Sequence, residues 1–314
     1  MSCPNSIKVY QNKMRSYKDL PLRFNDIDVI HRYEKSGQLN GLFRVRMFRQ
    51  DDSHNYIRKD QIGSEIANIL GLIDRLYKVF NLPYELTLST RPDDFMGEIE
   101  TWNIAEDELK SVLNKACGEN NYRINEGDGA FYGPKIDIKM KDCLGREWQT
   151  GTIQLDFQLP ERFDLSYVDA DGSKKRPIMV HRAIFGSFER FIGIITEHFG
   201  GAFPLWLSPV HVRVMNISQA SEDYAKEIYN KLIDANLKCE LDIRNEKIGY
   251  KIREAATNKV PYMIIVGDGE KDTQTITIRG RGNENASGLK LDDFIARLKQ
   301  EIAEKKNWLK YQNK

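Results

Sequence analysis

Residues 31–54 read HRYEKSGQLNGLFRVRMFRQDDSH, two extended runs around a polar loop, 35–41, that holds two glycines. The second run alternates. As a strand it puts Arg44, Arg46, Phe48, Gln50, Asp52 and His54 on one face, because successive side chains point to opposite sides. Phe43, Val45 and Met47 then point into a core. Arg32 and Glu34 share a face of the incoming strand for the same reason. Charges are rarely buried unpaired, so this face is either a solvated hairpin or a ligand site. A ring between polar neighbours suits stacking on a planar ligand, and the flat fork of arginine suits phosphate. A nucleoside phosphate satisfies both.

The chain has 314 residues, enough for two domains, and its 40% apolar content supplies a core. No apolar run approaches the roughly 18 residues that a membrane span needs. The N-terminus, MSCPNSIKVYQNK, has no apolar core like that of a signal peptide. A cytoplasmic location with no membrane partner is therefore expected. A net charge of +1 does not announce a nucleic-acid binder, so RNA contact needs local basic patches such as 279–281 or the tail from Lys305. Cys3, Cys117, Cys143 and Cys239 are scattered and suggest neither disulfides nor a local zinc motif.

Along the chain the pattern predicts a helix over 4–17 with Pro4 near its start, then the 31–54 hairpin. An apolar stripe of Ile62, Ile66, Ile69, Leu70, Ile73, Leu76 and Phe80 predicts a core-facing helix over 59–80. A strand over 84–89 and a helix over 106–117 follow. Residues 127–135, GDGAFYGPK, predict a turn with close backbone approach. Strands are predicted over 136–140 and 148–159; in the second, Thr152, Gln154 and Asp156 share a face. A strand over 178–182 leads to Gly186 and Ser187, which open a helix to about 198 and leave backbone donors for an anion. Two prolines within 204–209 mark the domain boundary. Beyond it, strands at 210–217, 238–243, 262–267 and 273–279 alternate with helices at 221–235, 247–258 and 291–305. That rhythm suggests βαβ units and a mixed sheet.

The run Arg32-Tyr33-Glu34, loop, Arg44, Phe48 and Gln50 to His54 resembles motif 2 of class II aminoacyl-tRNA synthetases in their threonyl form. Residues 177–197, PIMVHRAIFGSFERFIGIITE, resemble motif 3, with Arg190 as its arginine. MxCP, GAFYGPK, the GTxQLDF run and NEKIGxKIR complete the likeness in order, over essentially the whole chain. The sequence departs from the family at Asn5-Ser6, where Gly-His is usual.

The resemblance implies an antiparallel-sheet class II catalytic core over 1–206, of α/β and α+β character, then a mixed-sheet anticodon-binding domain over 207–314. It implies one zinc ion per subunit on Cys3, His54 and His181. Gln50, Asp52, Tyr132, Gln149, Thr152 and Gln154 are the implied L-threonine pocket. Arg32 is implied at the α-phosphate of ATP, Glu34 at the adenine amino group, Arg44 at the outer phosphates with Mg2+, and Phe48 with Arg190 around adenine. Asn245, Glu270 and Arg279 match positions that read the anticodon of tRNA(Thr). In this family motif 1 and editing domains lie upstream of the cysteine, so an N-terminally truncated chain is expected, with a homodimer for the full-length protein. Two other readings are a non-catalytic tRNA-binding paralogue, which would have lost the active-site set, and a different adenylate-forming ligase, which metal content separates.

Overall fold

A computed structural model describes residues 2–119, 121–281 and 284–306. The chain divides into two units, residues 1–195 and 196–314. In the first, helix α1 (Cys3–Gln11) precedes β1 (Leu22–Asp26), and a hairpin of β2 (Val29–His31) and β3 (Met47–Arg49) leads to β4 (Asp52–Ile57). There follow α2 (Ile62–Phe80), β5 (Glu85–Ser89), α3 (Ile99–Cys117), β6 (Arg123–Asn125), β7 (Lys135–Lys141) and β8 (Glu147–Asp156). Then come α4 (Gln158–Arg162), a small ladder of β9 (Tyr167–Val168) and β10 (Lys174–Lys175), β11 (Ile178–Ala183) and α5 (Phe188–His198).

The main sheet has the order β1-β4-β11-β8-β7-β5-β6. Every junction is antiparallel except β5 with β6. Helix α2 buries Ile62, Ile66, Ile69, Leu70 and Ile73 as its spacing requires, and ends at Asn81 in the left-handed conformation. Tyr77 joins that stripe because its hydroxyl finds partners inside, Thr150 Oγ1 at 2.9 Å and the Ile184 carbonyl at 2.7 Å. On α1, Cys3, Ile7 and Tyr10 pack with Tyr56, Leu165, Tyr167 and Met179.

The second unit runs β12 (Val212–Asn216), α6 (Glu222–Asp234), β13 (Cys239–Asp242), α7 (Ile248–Thr257), β14 (Tyr262–Val266), α8 (Asp268–Thr273), β15 (Ile276–Gly280), β16 (Asn285–Leu289) and α9 (Leu291–Ala303). Its sheet order is β13-β12-β14-β15-β16, with β12 parallel to both neighbours and the last two strands antiparallel. An antiparallel-rich first sheet and a mixed second one are the expected fold class. Among the described residues no helix is long and apolar enough to cross a membrane.

Several predicted elements change. The run 43–54 is not one strand: β3 pairs with β2, whereas β4 belongs to the main sheet. Asp51 makes the break. Its carboxylate accepts from the backbone N–H groups of Ile184 at 2.8 Å and Phe185 at 3.0 Å, which turns the chain. Met47 is consequently 57% exposed rather than in a core. Helix α1 stops at Gln11 because the Arg15 guanidinium occupies the carbonyls of Val9 and Tyr10. Helix α3 starts seven residues earlier than its apolar spacing shows. The predicted strand ends at 157–159 and 273–275 are a helix and a helix end, and β1 and β16 carry no alternation strong enough to find.

Two glycines fit the backbone tightly. A Cβ on Gly133 would lie 1.9 Å from the Leu155 carbonyl oxygen, and one on Gly186, at φ +65°, 1.9 Å from that of Thr150. A left-handed conformation and a backbone collision together make Gly186→Ala destabilising by about 2–4 kcal/mol. The melting midpoint of this unit should fall by roughly 5–15 °C. An unchanged calorimetric midpoint would contradict this packing.

Candidate functional site

Register across three strands builds the centre of the site. On β4, β11 and β8, His54 lies directly opposite His181, and His181 opposite Gln154. Antiparallel neighbours in register point to the same face, so imidazole, imidazole and amide stand in one row. The His54 and His181 rings are 5.1 Å apart and nearly perpendicular. The start of α1 brings Cys3 alongside, its Sγ 3.8 Å from His181 Nδ1. One donor atom from each of Cys3, His54 and His181 lies within 4.8 Å of the others.

The chemistry of this trio fits a divalent soft-to-borderline metal. His54 Nε2 is buried without a hydrogen-bond partner, with Asp52 Oδ2 at 3.6 Å. A buried imidazole nitrogen left idle is costly unless something coordinates it. His181 Nε2 lies 2.9 Å from Asp156 Oδ2, which turns Nδ1 toward Cys3. Carboxylates commonly orient metal-binding histidines in this way. Burial pushes the Cys3 thiol up, but His181 and His54 outweigh it and bring it down to about 6. Burial likewise opposes protonation of His181, and Asp156 and Cys3 overcome it, raising the ring to about 9. Three ligands of this type suit zinc with open positions.

Around the trio lies a cleft of about 340 Å³ lined by Cys3, Arg32, Gln50, Asp52, Tyr132, Thr152, Gln154 and His181. The Tyr132 hydroxyl donates to Gln154 Oε1 at 2.5 Å, and Ser2 Oγ to Asp52 Oδ2 at 2.8 Å. At the departure Asn5-Ser6, Ser6 Oγ donates to the Cys3 carbonyl and pairs with Tyr56 Oη, so the turn beside Cys3 is held locally.

A second cleft of about 350 Å³ shares Arg32, Gln50, Thr152 and Gln154 with the first and adds Glu34, Phe43, Arg44, Phe48, Gln149, Gly186, Ser187 and Arg190. Arg32 lies over the Phe48 ring at 5.3 Å, and Arg44 Nε is 3.6 Å from Glu34 Oε2. Arg190 donates to the carbonyls of Phe43 at 2.9 Å and Gln149 at 2.8 Å and covers the Trp148 ring. Burial, with Arg44 and Arg32 nearby, lowers its pKa, yet a guanidinium stays charged. Three arginines, an aromatic ring and the start of α5 thus face one space. That surface can hold a polyphosphate and a flat base.

Gln149 lines the second cleft, where its amide donates to Asp137 Oδ1 at 2.6 Å. One expectation is corrected. Arg281 does not join a basic patch with Arg279; it is half-buried and donates to the Phe203 carbonyl.

Three site residues escaped the sequence. Asp156 was visible only as the next polar position after Thr152 and Gln154. Asp137, 1% exposed, accepts from Gln149, from Thr152 Oγ1 at 3.1 Å and from Ser89, and pairs with Lys135 Nζ at 2.9 Å. Asp51 shapes the wall from behind; burial pushes its carboxyl up to about 6 against the pull of the Ile184 and Phe185 amides and Arg182.

In the second unit Asn245 is exposed on the loop between β13 and α7. Glu270, in the first turn of α8, accepts from Thr277 Oγ1 at 2.8 Å and from the Gly267 N–H at 2.9 Å, and these bonds hold its carboxyl below the usual range. Thr277 and exposed Arg279 share a face of β15. Asn245 follows β13, with two strands, β12 and β14, between it and β15. Of the tail from Lys305, residues beyond 306 lie outside the described residues.

Comparison with known proteins bears on both units. Residues 1–199 match the tRNA synthetase class II core domain (G, H, P, S and T), and residues 211–301 match an anticodon binding domain. A threonine–tRNA ligase of Clostridium kluyveri is 56% identical over 305 residues, which cover 97% of this chain and 48% of that protein. One from Clostridium novyi is 55% identical over 309 residues, covering 98% and 48%. The chain spans about half the length of the curated relatives it matches. A crystal structure described as the RNA binding domain of threonyl-tRNA synthetase from Cryptosporidium parvum Iowa II superposes with a TM-score of 0.91 at 40% identity, covering 96% of this chain and 76% of that one.

Proposed function

This chain belongs to the class II tRNA synthetases, with the core domain of that class followed by an anticodon-binding domain, and from there we propose that it is the catalytic and tRNA-reading part of a threonine–tRNA ligase. The observation that carries the substrate is the Cys3–His54–His181 trio, of which Cys3 and His181 line a cleft that shares Arg32, Gln50, Thr152 and Gln154 with the arginine-lined one. An intact trio and an intact arginine set favour catalysis over a non-catalytic paralogue. The domains in this reading are 1–206 and 207–314, and the full-length protein is a cytoplasmic homodimer with one zinc per subunit.

Zinc bound to Cys3, His54 and His181 would supply a Lewis acid with open positions for the threonine amino and hydroxyl groups. Asp52 and Gln50 face the amino acid, with Tyr132, Thr152 and Gln154 as walls. A threonine carboxylate oxygen attacks the α-phosphorus of ATP, and the bond to the pyrophosphate leaving group breaks. Arg32, between the two clefts, meets the charge that grows on the α-phosphate. Arg44 would hold the outer phosphates, and Mg2+ bound with ATP would offset their charge. Phe48 and Arg190 flank adenine, and Glu34 accepts from its amino group. A ribose hydroxyl at the tRNA 3′ end then attacks the threonyl carbonyl and releases AMP. Positioning and charge stabilisation suffice, with no covalent enzyme intermediate. Asn245, Glu270 and Arg279 read anticodon bases.

The test is exchange of pyrophosphate into ATP by the full-length protein. Exchange that depends on threonine and is absent with valine is expected. Zinc-loaded protein that binds ATP but exchanges with no amino acid ends this reading.

A further inference from the structure

Lys251 is a long cation with no part in the mechanism above. It lies in α7 and is 1% exposed. Its Nζ donates to the Asn216 carbonyl at 3.1 Å, to Asn216 Oδ1 at 2.8 Å and to the Asp242 carbonyl at 3.1 Å. An ammonium has three donors, and here all three go to uncharged oxygens. Burying a cation on neutral partners is expensive, whereas a methionine would fill the same space without that cost. Packing of α7 therefore does not call for a lysine.

The three oxygens show what it does. Asn216 ends β12 and Asp242 ends β13, neighbouring parallel strands. Lys251 ties both strand ends to the helix that follows the 243–247 loop, so it closes that loop at its base. The Asp242 carboxylate continues the chain of contacts. It receives Arg244 through Nε at 2.9 Å and Nη2 at 2.7 Å, and Arg244 also reaches Glu254 Oε2 at 2.9 Å. The Arg244 carbonyl accepts from the Glu246 N–H at 2.8 Å. Asn245 stands between these pinned neighbours with its side chain exposed. Ligands of open α/β sheets bind beyond the carboxyl ends of parallel strands, and this is that end.

The geometry points to Lys251 as a positioning residue for RNA recognition: its ammonium, bound to Asn216 and Asp242, holds the 243–247 loop in the shape in which Asn245 meets an anticodon base. The inference rests on the anticodon reading of this loop proposed above. It adds a residue that never touches the RNA yet governs which RNA is accepted.

The test uses full-length protein carrying Lys251→Met, charged with tRNA(Thr) transcript and with a transcript changed at one anticodon base. KM for tRNA(Thr) should rise, and the preference for the unchanged anticodon should fall by roughly 10–100-fold, the size of one base contact. Threonine-dependent pyrophosphate exchange should stay within about twofold, because sites without shared partners act independently. Lys251→Arg keeps donors and charge and should restore part of the preference. Asn216→Ala, which removes one of the three acceptors of Lys251 along with the Asn216 amide bond to the Ser218 carbonyl, should shift the ratio the same way by less. A purely structural lysine would lower the melting midpoint and leave the preference intact at permissive temperature, and that result overturns the proposal. Asn245→Ala separates the two failures. If it abolishes the preference while Lys251→Met does not, Lys251 has no positioning role; if neither does, the anticodon reading of the loop falls and the proposal with it.

Discussion

Replacing His54 by alanine should take bound zinc from about one ion per chain to near zero and reduce discrimination between threonine and valine from on the order of 10⁴ to about 10. The reasoning starts from size. Valine and threonine have the same shape, and an apolar pocket separates such isosteres poorly. A site that must satisfy a substrate hydroxyl separates them well, since the analogue leaves a polar group unpaired. In the proposed function the demanding partner would be a zinc ion held by Cys3, His54 and His181. His54 is 1% exposed, and its Nε2 has no hydrogen-bond partner. Its removal would therefore delete a metal ligand without breaking a hydrogen bond of Nε2. Metal analysis of the purified protein and exchange rates with each amino acid check both halves. Full zinc occupancy in His54→Ala would remove the trio as the metal site, and unchanged rejection of valine would detach selectivity from the metal.

Arg32→Ala should lower the threonine-dependent exchange rate by about 10²–10³-fold, the loss seen when one preorganised charge-stabilising donor is removed. Arg32 is exposed, follows β2 directly and lines both clefts, which in the proposed function is where the amino acid would meet the α-phosphate. Its only described packing is against the Phe48 face at 5.3 Å, so stability should change by no more than about 0.5 kcal/mol. Arg32→Lys keeps a charge but loses the planar fork and should recover only part of the rate. Exchange kinetics beside a thermal melt separate the cases. A loss that tracks unfolding, or a rate within a few fold of the native protein, would place the charge stabilisation elsewhere.

How far the site could be read in advance depends on where each partner lies. Period-two alternation was enough to put Thr152, Gln154 and Asp156 on one face, though not to give Asp156 a role in the site, and Phe48 among charged neighbours was enough to suggest a nucleotide. Alternation cannot say what Asp156 touches, because His181 is 25 residues away and meets it only through the β8–β11 register. The convergence of Cys3, His54 and His181 was legible through family likeness alone. No local spacing links Cys3, His54 and His181. The break at Asp51 was invisible for a related reason: the amides that bend the chain belong to Ile184 and Phe185. The Gln149 contact with Asp137 was hidden for the same reason, since its position on β8 says nothing about Asp137 across the ladder. In the second unit the βαβ rhythm was plain, while short α8 hid inside a predicted strand.

The row His54, His181, Gln154 runs across rungs of three antiparallel strands that come from distant parts of the chain. Such a row tolerates change unevenly. Lengthening the turn between β9 and β10 leaves it untouched, whereas one residue added within β4, β8 or β11 turns every later side chain of that strand to the opposite face. Length changes compatible with the site are thus confined to connections, and the spacing within these three strands acts as a ruler that any variant must keep.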